Sequence, residues 1–163
     1  MNRHEWLASG VHRSGLVLVA LLGLVLNGCA GLNLAPDYDP VMDQTVTELQ
    51  ADTATFFEKM GGATGQAGSY SANKGFYDQA IGTVEAMSTR AATLEADLAA
   101  EHRLLNKNFA KLRQQYMDMR LLHQTNPSKT VIASAKNAFD QMFEAILMHI
   151  RSLKTGTANA TGS

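Results

Sequence analysis

Cys29 is the only thiol in this 163-residue chain, and a thiolate is both a good nucleophile and a soft metal ligand. Nucleophilic catalysis needs such a group, or an activated serine or threonine, beside a base. No serine here stands in the Gly-x-Ser-x-Gly turn that exposes a nucleophile. Glu101-His102 lacks the His-Glu-x-x-His spacing that sets two imidazoles on one helical face, and paired Glu-x-x-His motifs for a di-iron site are absent. The sequence therefore predicts no catalytic residue and no metal centre. Three softer constellations remain. Met42 and His149 pair a thioether with an imidazole, a combination that can ligate haem iron from both sides. Met117-Asp118-Met119 with His123 offers donors suited to Cu(I), but residues two apart on a helix point about 200° apart, so the two thioethers do not share a site. Tyr38, Tyr70, Phe76 and Tyr77 are an aromatic set fit either for docking or for pinning helix starts to a core.

The elements that position these residues read as helices throughout. Asp39-Pro40 opens the first: aspartate accepts orphan amide hydrogens at an N-cap, and proline at the next position loses no bond. Met42, Val46, Leu49, Phe56 and Met60 fall on one stripe, with Thr53 as its polar member, able to bond back to the preceding turn. Gly61-Gly62 ends the helix, and residues 61–71 read as a glycine-rich loop without the Gly-Lys-Ser/Thr of a phosphate cradle. A second helix starting near Ser71 or Ala72 carries Tyr77, Ala80, Val84, Met87, Ala91, Leu94 and Leu98. The stripe then shifts to Leu105, Phe109, Leu112, Tyr116, Met119 and His123. That shift predicts a turn around residues 99–104; the alternative is one long helix over 72–124 with a stutter, giving three helices in place of four. Asn126-Pro127-Ser128 punctuates the chain. A last helix carries Ile132, Ala135, Phe139, Met142, Phe143, Ile146, Ile150 and Leu153, and ends near Lys154 with Arg151 and Lys154 complementing its dipole. Residues 155–163 contain no large apolar side chain and read as a disordered tail. Nothing alternates with strand period. The expected fold is all-α, an antiparallel up-down bundle of four helices spanning residues 39–154. In such a bundle Met42 and His149 fall at the same end, a placement similar to the Met/His ligation of periplasmic b-type cytochrome bundles.

The first 28 residues are of a different kind. Arg3 and Arg13 precede Leu16–Leu26, eleven consecutive apolar or glycine residues, and Asn27-Gly28-Cys29 follows. A basic n-region, an apolar h-region and a small residue before the cut make up an export signal. As a helix, Leu16–Leu26 would span about 16 Å against a hydrocarbon core of about 30 Å, so an uncleaved spanning anchor requires Asn27, Asn33 and several glycines inside the bilayer. Leu26-Asn27-Gly28-Cys29 resembles the lipobox of bacterial lipoproteins, with Asn27 in place of the usual small residue. That resemblance implies cleavage before Cys29, covalent lipid on its sulfur and no other cofactor. Ala30, where aspartate would favour inner-membrane retention, implies the periplasmic face of the outer membrane, with the inner membrane or a single-membrane cell surface as alternatives. Tyr38-Asp39-Pro40, Gly75-Phe76-Tyr77-Asp78, Ala138-Phe139 and Phe143-Glu144-Ala145-Ile146-Leu147 are loosely similar to small bacterial helical lipoproteins without an assigned activity. This second resemblance implies the anchor and the bundle only.

Cleavage would leave 135 residues, one domain's worth, joined to the lipid by a short tether over residues 29–38. With Cys29 acylated no disulfide is available, and the core alone must hold the fold. The net charge of −1 gives no sign of nucleic-acid binding. Its distribution is uneven: residues 29–101 carry eleven acids and three bases, and residues 102–163 nine bases and three acids. A basic face for lipid or an acidic partner is one reading; acidic helices packing beside basic ones and neutralising them is the simpler one. These observations together predict a non-catalytic, lipid-anchored binding or structural module with an envelope protein partner. The alternative is a small-ligand or haem carrier using Met42 and His149.

Overall fold

A computed structural model describes residues 36–62 and 68–160. Cys29, the Leu26-Asn27-Gly28 motif before it, the expected signal segment 1–28 and most of the expected tether lie outside the described residues. Four helices follow one another up and down: α1, Pro40–Gly62; α2, Tyr70–Leu94; α3, Leu104–His123; α4, Lys129–Ala160, with a single 3-10 turn at Ala100–His102. The expected four-helix bundle is the fold. Around it the helices run α1, α4, α3, α2; α2 packs most extensively on α3 and α1 on α4, whereas the backbones of α1 and α2 approach least and the two helices meet through side chains.

The stripes drawn from the sequence are the core. Met42, Val46, Leu49, Thr53, Phe56 and Met60 of α1 are buried, as are Leu105, Phe109, Leu112, Tyr116, Met119 and His123 of α3. Thr53 bonds back to the Leu49 carbonyl at 2.6 Å and also pairs with the Tyr116 hydroxyl across the core. Asp39 caps α1 through Oδ1, which accepts from the amides of Val41 (3.0 Å) and Met42 (3.2 Å). Burial alone would raise the Asp39 carboxyl, but the Arg90 guanidinium and these two amides outweigh it and hold it below the usual carboxylate range. That ion pair joins the start of α1 to the end of α2. Just ahead of it, Pro36 is buried and the Tyr38 hydroxyl donates to Asp43 at 3.0 Å, so the last residues of the expected tether are fixed to the bundle.

The break in the long α2–α3 stretch lies at residues 95–103, starting four residues earlier than the stripe shift suggested. No glycine or proline makes it. Glu95 does: its fully buried carboxylate crosses the turn and accepts the first amides of α3, Leu105 at 2.8 Å and Asn106 at 3.0 Å. These are donors that a helix start leaves unmatched. Arg103 closes the loop by donating to the carbonyls of Leu98 (2.9 Å) and Ala96 (3.0 Å). At the next turn Asn126 takes a positive φ of 52°, a conformation asparagine tolerates better than most residues, and Ser128 caps α4.

Two boundaries differ from expectation. α2 starts at Tyr70, with Ser69 as its cap. α4 continues to Ala160, six residues past Lys154, over part of the segment read as a disordered tail. Propagating a helix already nucleated adds a hydrogen bond per residue without a new core contact, and the Thr155 hydroxyl reinforces it by donating to the Ser152 carbonyl at 2.8 Å. The charge asymmetry resolves as cross-helix pairing: Arg113 with Glu85, Arg120 with Asp78 and Arg151 with Asp43 each join a basic helix to an acidic one.

Candidate functional site

The open seam of the bundle is a cleft of about 560 Å³ between α1 and α2. Its floor is apolar, formed by Leu49 and Phe56 from α1 and Phe76 and Ala80 from α2. Phe56 and Phe76 stack in parallel at 4.0 Å and bridge the two helices towards the end nearest the α1–α2 loop. The α1 lip carries Glu48, Asp52 and Lys59; the α2 lip carries Gly75, Gln79 and Thr83, with no charge. The sequence reading missed this cleft. The spacing of apolar residues within either helix carries no signal of it.

Beneath that end of the cleft lies a buried aromatic and polar cluster. Tyr77 is fully buried, and its hydroxyl meets His123 Nδ1 at 3.0 Å. His123 Nε2 lies 2.8 Å from the Gly68 carbonyl. A carbonyl only accepts, so Nε2 carries a proton, and in the neutral ring Nδ1 then accepts from the Tyr77 hydroxyl. Burial pushes the Tyr77 phenol well above its ordinary value, and the Tyr116 phenol likewise, so both stay protonated. The rings of Phe56, Tyr70 and Tyr77 surround the imidazole at 5.8–5.9 Å. Of the four aromatics singled out, Tyr70, Phe76 and Tyr77 thus meet in one cluster. Tyr38 sits at the opposite end, under the Lys154 ammonium at 5.4 Å.

Met42 and His149 do fall at the same end of the bundle, where Arg151 reaches Asp43 at 3.2 Å. Met42 is fully buried in the core. His149 is half-buried; its Nε2 is buried and has no hydrogen-bond partner among the described residues. The cleft is lined by neither residue. Met117 and Met119 diverge as their spacing requires: Met119 is buried, while the Met117 sulfur accepts from Arg113 at 3.1 Å at the surface. Among the described residues no three His, Cys, Asp or Glu side chains converge, and no helix is long and apolar enough to cross a membrane.

Among the described residues, fold and cleft together define an antiparallel four-helix bundle with an open groove between α1 and α2. Comparison with known proteins finds no family model, no curated protein and no solved structure that matches the chain.

Proposed function

We propose that this chain is a lipid-anchored, periplasm-facing lipoprotein that acts by binding, as a non-catalytic module of the bacterial envelope. The observation that carries this reading is the run Leu16–Leu26 ending in Asn27-Gly28-Cys29, with a helical domain beginning at Asp39–Pro40. One acyl chain holds a protein only marginally at a membrane, so several chains on Cys29 would replace a spanning helix. The bundle supplies the binding surface, its open cleft being the feature least accounted for by folding. The partner is an envelope protein, the membrane is met through lipid, and nucleic acid is not a partner. Metabolic labelling with a palmitate analogue tests the anchor. Wild type is expected to take up label and sediment with the outer membrane, and Cys29→Ala to lose both; label retained in Cys29→Ala would refute the assignment.

A second reading, a haem or small-ligand carrier, draws on the unpartnered His149 Nε2. A buried nitrogen without a partner costs about 1–3 kcal/mol, which a ligand atom would recover. Incubation with haem followed by an absorbance scan decides it. A Soret band lost in both His149→Ala and Met42→Leu is the result this reading requires, and no band removes it.

A further inference from the structure

We propose that the outer face shared by α3 and α4 is a self-association surface, on which a second copy of this chain docks antiparallel about a two-fold axis. This inference rests neither on the lipid anchor nor on the envelope partner proposed above.

Exposure and spacing mark the face. Among the described residues the exposed large apolar side chains are Val41 on α1, Leu104 and Leu121 on α3, and Val131 and Met148 on α4. On a helix of 3.6 residues per turn, Leu104, Lys107, Lys111, Asp118 and Leu121 share an arc of about 100° on α3. Arg113 and Arg120 lie outside that arc and turn to Glu85 and Asp78 of α2. Val131, Ser134, Ala138, Gln141, Ala145 and Met148 share a similar arc on α4, and all six are exposed. Every charged side chain of α4 falls outside this second arc, Arg151 being turned to Asp43 of α1. Because α3 and α4 are neighbours, the two arcs lie side by side on the face of the bundle away from α1 and α2.

The order of the residues along both helices suits a two-fold. An isologous interface sets each residue against the one equally far beyond the axis. On α3, an axis near residue 113 places Leu104 against the second copy's Leu121 and brings Lys107 and Lys111 to the second copy's Asp118. On α4, an axis near residue 140 places Val131 against the second copy's Met148, and Ala138 against its Gln141. One axis serves both helices, since Tyr116 packs on Phe139 at 4.7 Å and so sets residues 113 and 140 at one level to within a turn. Apolar side chains then meet at both ends of the face, and a lysine pair meets a carboxylate twice over. Gln114 donates to that carboxylate at 2.8 Å and holds it in place. A lipid surface suits the face less well, because Asp118 would oppose anionic headgroups and the α4 arc carries no base.

The size of the face sets the strength of the dimer. From Leu104 to Leu121 is about 26 Å at 1.5 Å per residue, and two helices side by side are about 20 Å wide. About 500 Å² per copy, or about 1,000 Å² in total, lies at the lower limit for a specific interface. The dimer is therefore reversible.

Photocrosslinking in cells tests this, with two differently tagged copies of the full chain expressed together. p-Benzoylphenylalanine replaces Gln141 beside the axis, or Gln79 on the opposite side of the bundle as a control. The expected result is an adduct of twice the chain mass carrying both tags, from Gln141 and not from Gln79. Its crosslinked peptide, identified by mass spectrometry, maps around Ala138 of the second copy. Asp118→Lys is expected to cut the yield at least fivefold by setting like charges together, and Lys107→Asp with Lys111→Asp to do the same. All three changes in one chain should restore it, which loss of folding could not do. The proposal is overturned by absence of the two-tag adduct, by equal adducts from Gln79, or by lipid or another protein in its place. A crosslink outside α4, or a combined variant no better than its parts, overturns it equally. Palmitate labelling read on the same gel reports the anchor separately, so either idea can fail alone.

Discussion

Glu95→Ala is expected to destabilise the helical domain by about 3 kcal/mol, measured as a lowered midpoint in urea denaturation at neutral pH. The carboxylate is fully buried and accepts two amides of α3 that no other described group meets. Losing an N-cap costs about 0.5–2 kcal/mol, and each buried polar group left without a partner about 1–3 kcal/mol. Water entering the small space left by the side chain recovers part of this, which sets the figure below the full sum. Glu95→Gln keeps the shape and one acceptor oxygen, so it should lose about half as much. An alanine variant within 0.5 kcal/mol of wild type would mean that the turn is held by other contacts, Arg103 first among them.

The second large effect is expected at His123. His123→Ala removes a ring packed against three aromatic neighbours and strands both the Tyr77 hydroxyl and the Gly68 carbonyl. A loss of about 3 kcal/mol follows from the cavity and the unmet groups together. Tyr77→Phe alone should cost about 1 kcal/mol, because it leaves only Nδ1 without a partner. If the hydrogen bond is the link between them, the double variant should fall short of the sum by at least about 0.5 kcal/mol. Strict additivity would show that the two residues contribute by packing alone.

Both positions mark where periodicity alone stopped being informative. The apolar stripes located every helix and almost all of the core, because burial on one face is what spacing encodes. They also placed Thr53 and His123 on buried faces, although these are polar. Spacing gave the bond of Thr53 to its own preceding turn but not the distant partners: Tyr116 lies 63 residues from Thr53, and Tyr77 46 residues from His123. Glu95 was readable in principle. It lies four residues after Ala91 and three before Leu98, so a charged side chain occupied a core position, and a buried carboxylate must find donors. The extent of α4 beyond Lys154 was not readable, since no apolar residue there reports on helicity. The cleft was invisible for a different reason: it arises from how far two helices stand apart, and no pattern within either one records that separation. Cys29 and its flanking motif rest on sequence alone.

The Glu95 turn also has a kinetic consequence. It joins the most extensively packed helix pair through the nine residues 95–103, whereas α1 meets α4 only after more than sixty intervening residues are closed into a loop. Closure entropy grows with loop length and must be met before distant contacts repay it. The α2–α3 hairpin therefore assembles early and α1 docks last, so the Glu95→Ala loss should fall mainly on the refolding rate and leave the unfolding rate nearly unchanged. By the same order the contact between α1 and α4 is the last part of the molecule to form and the first to loosen.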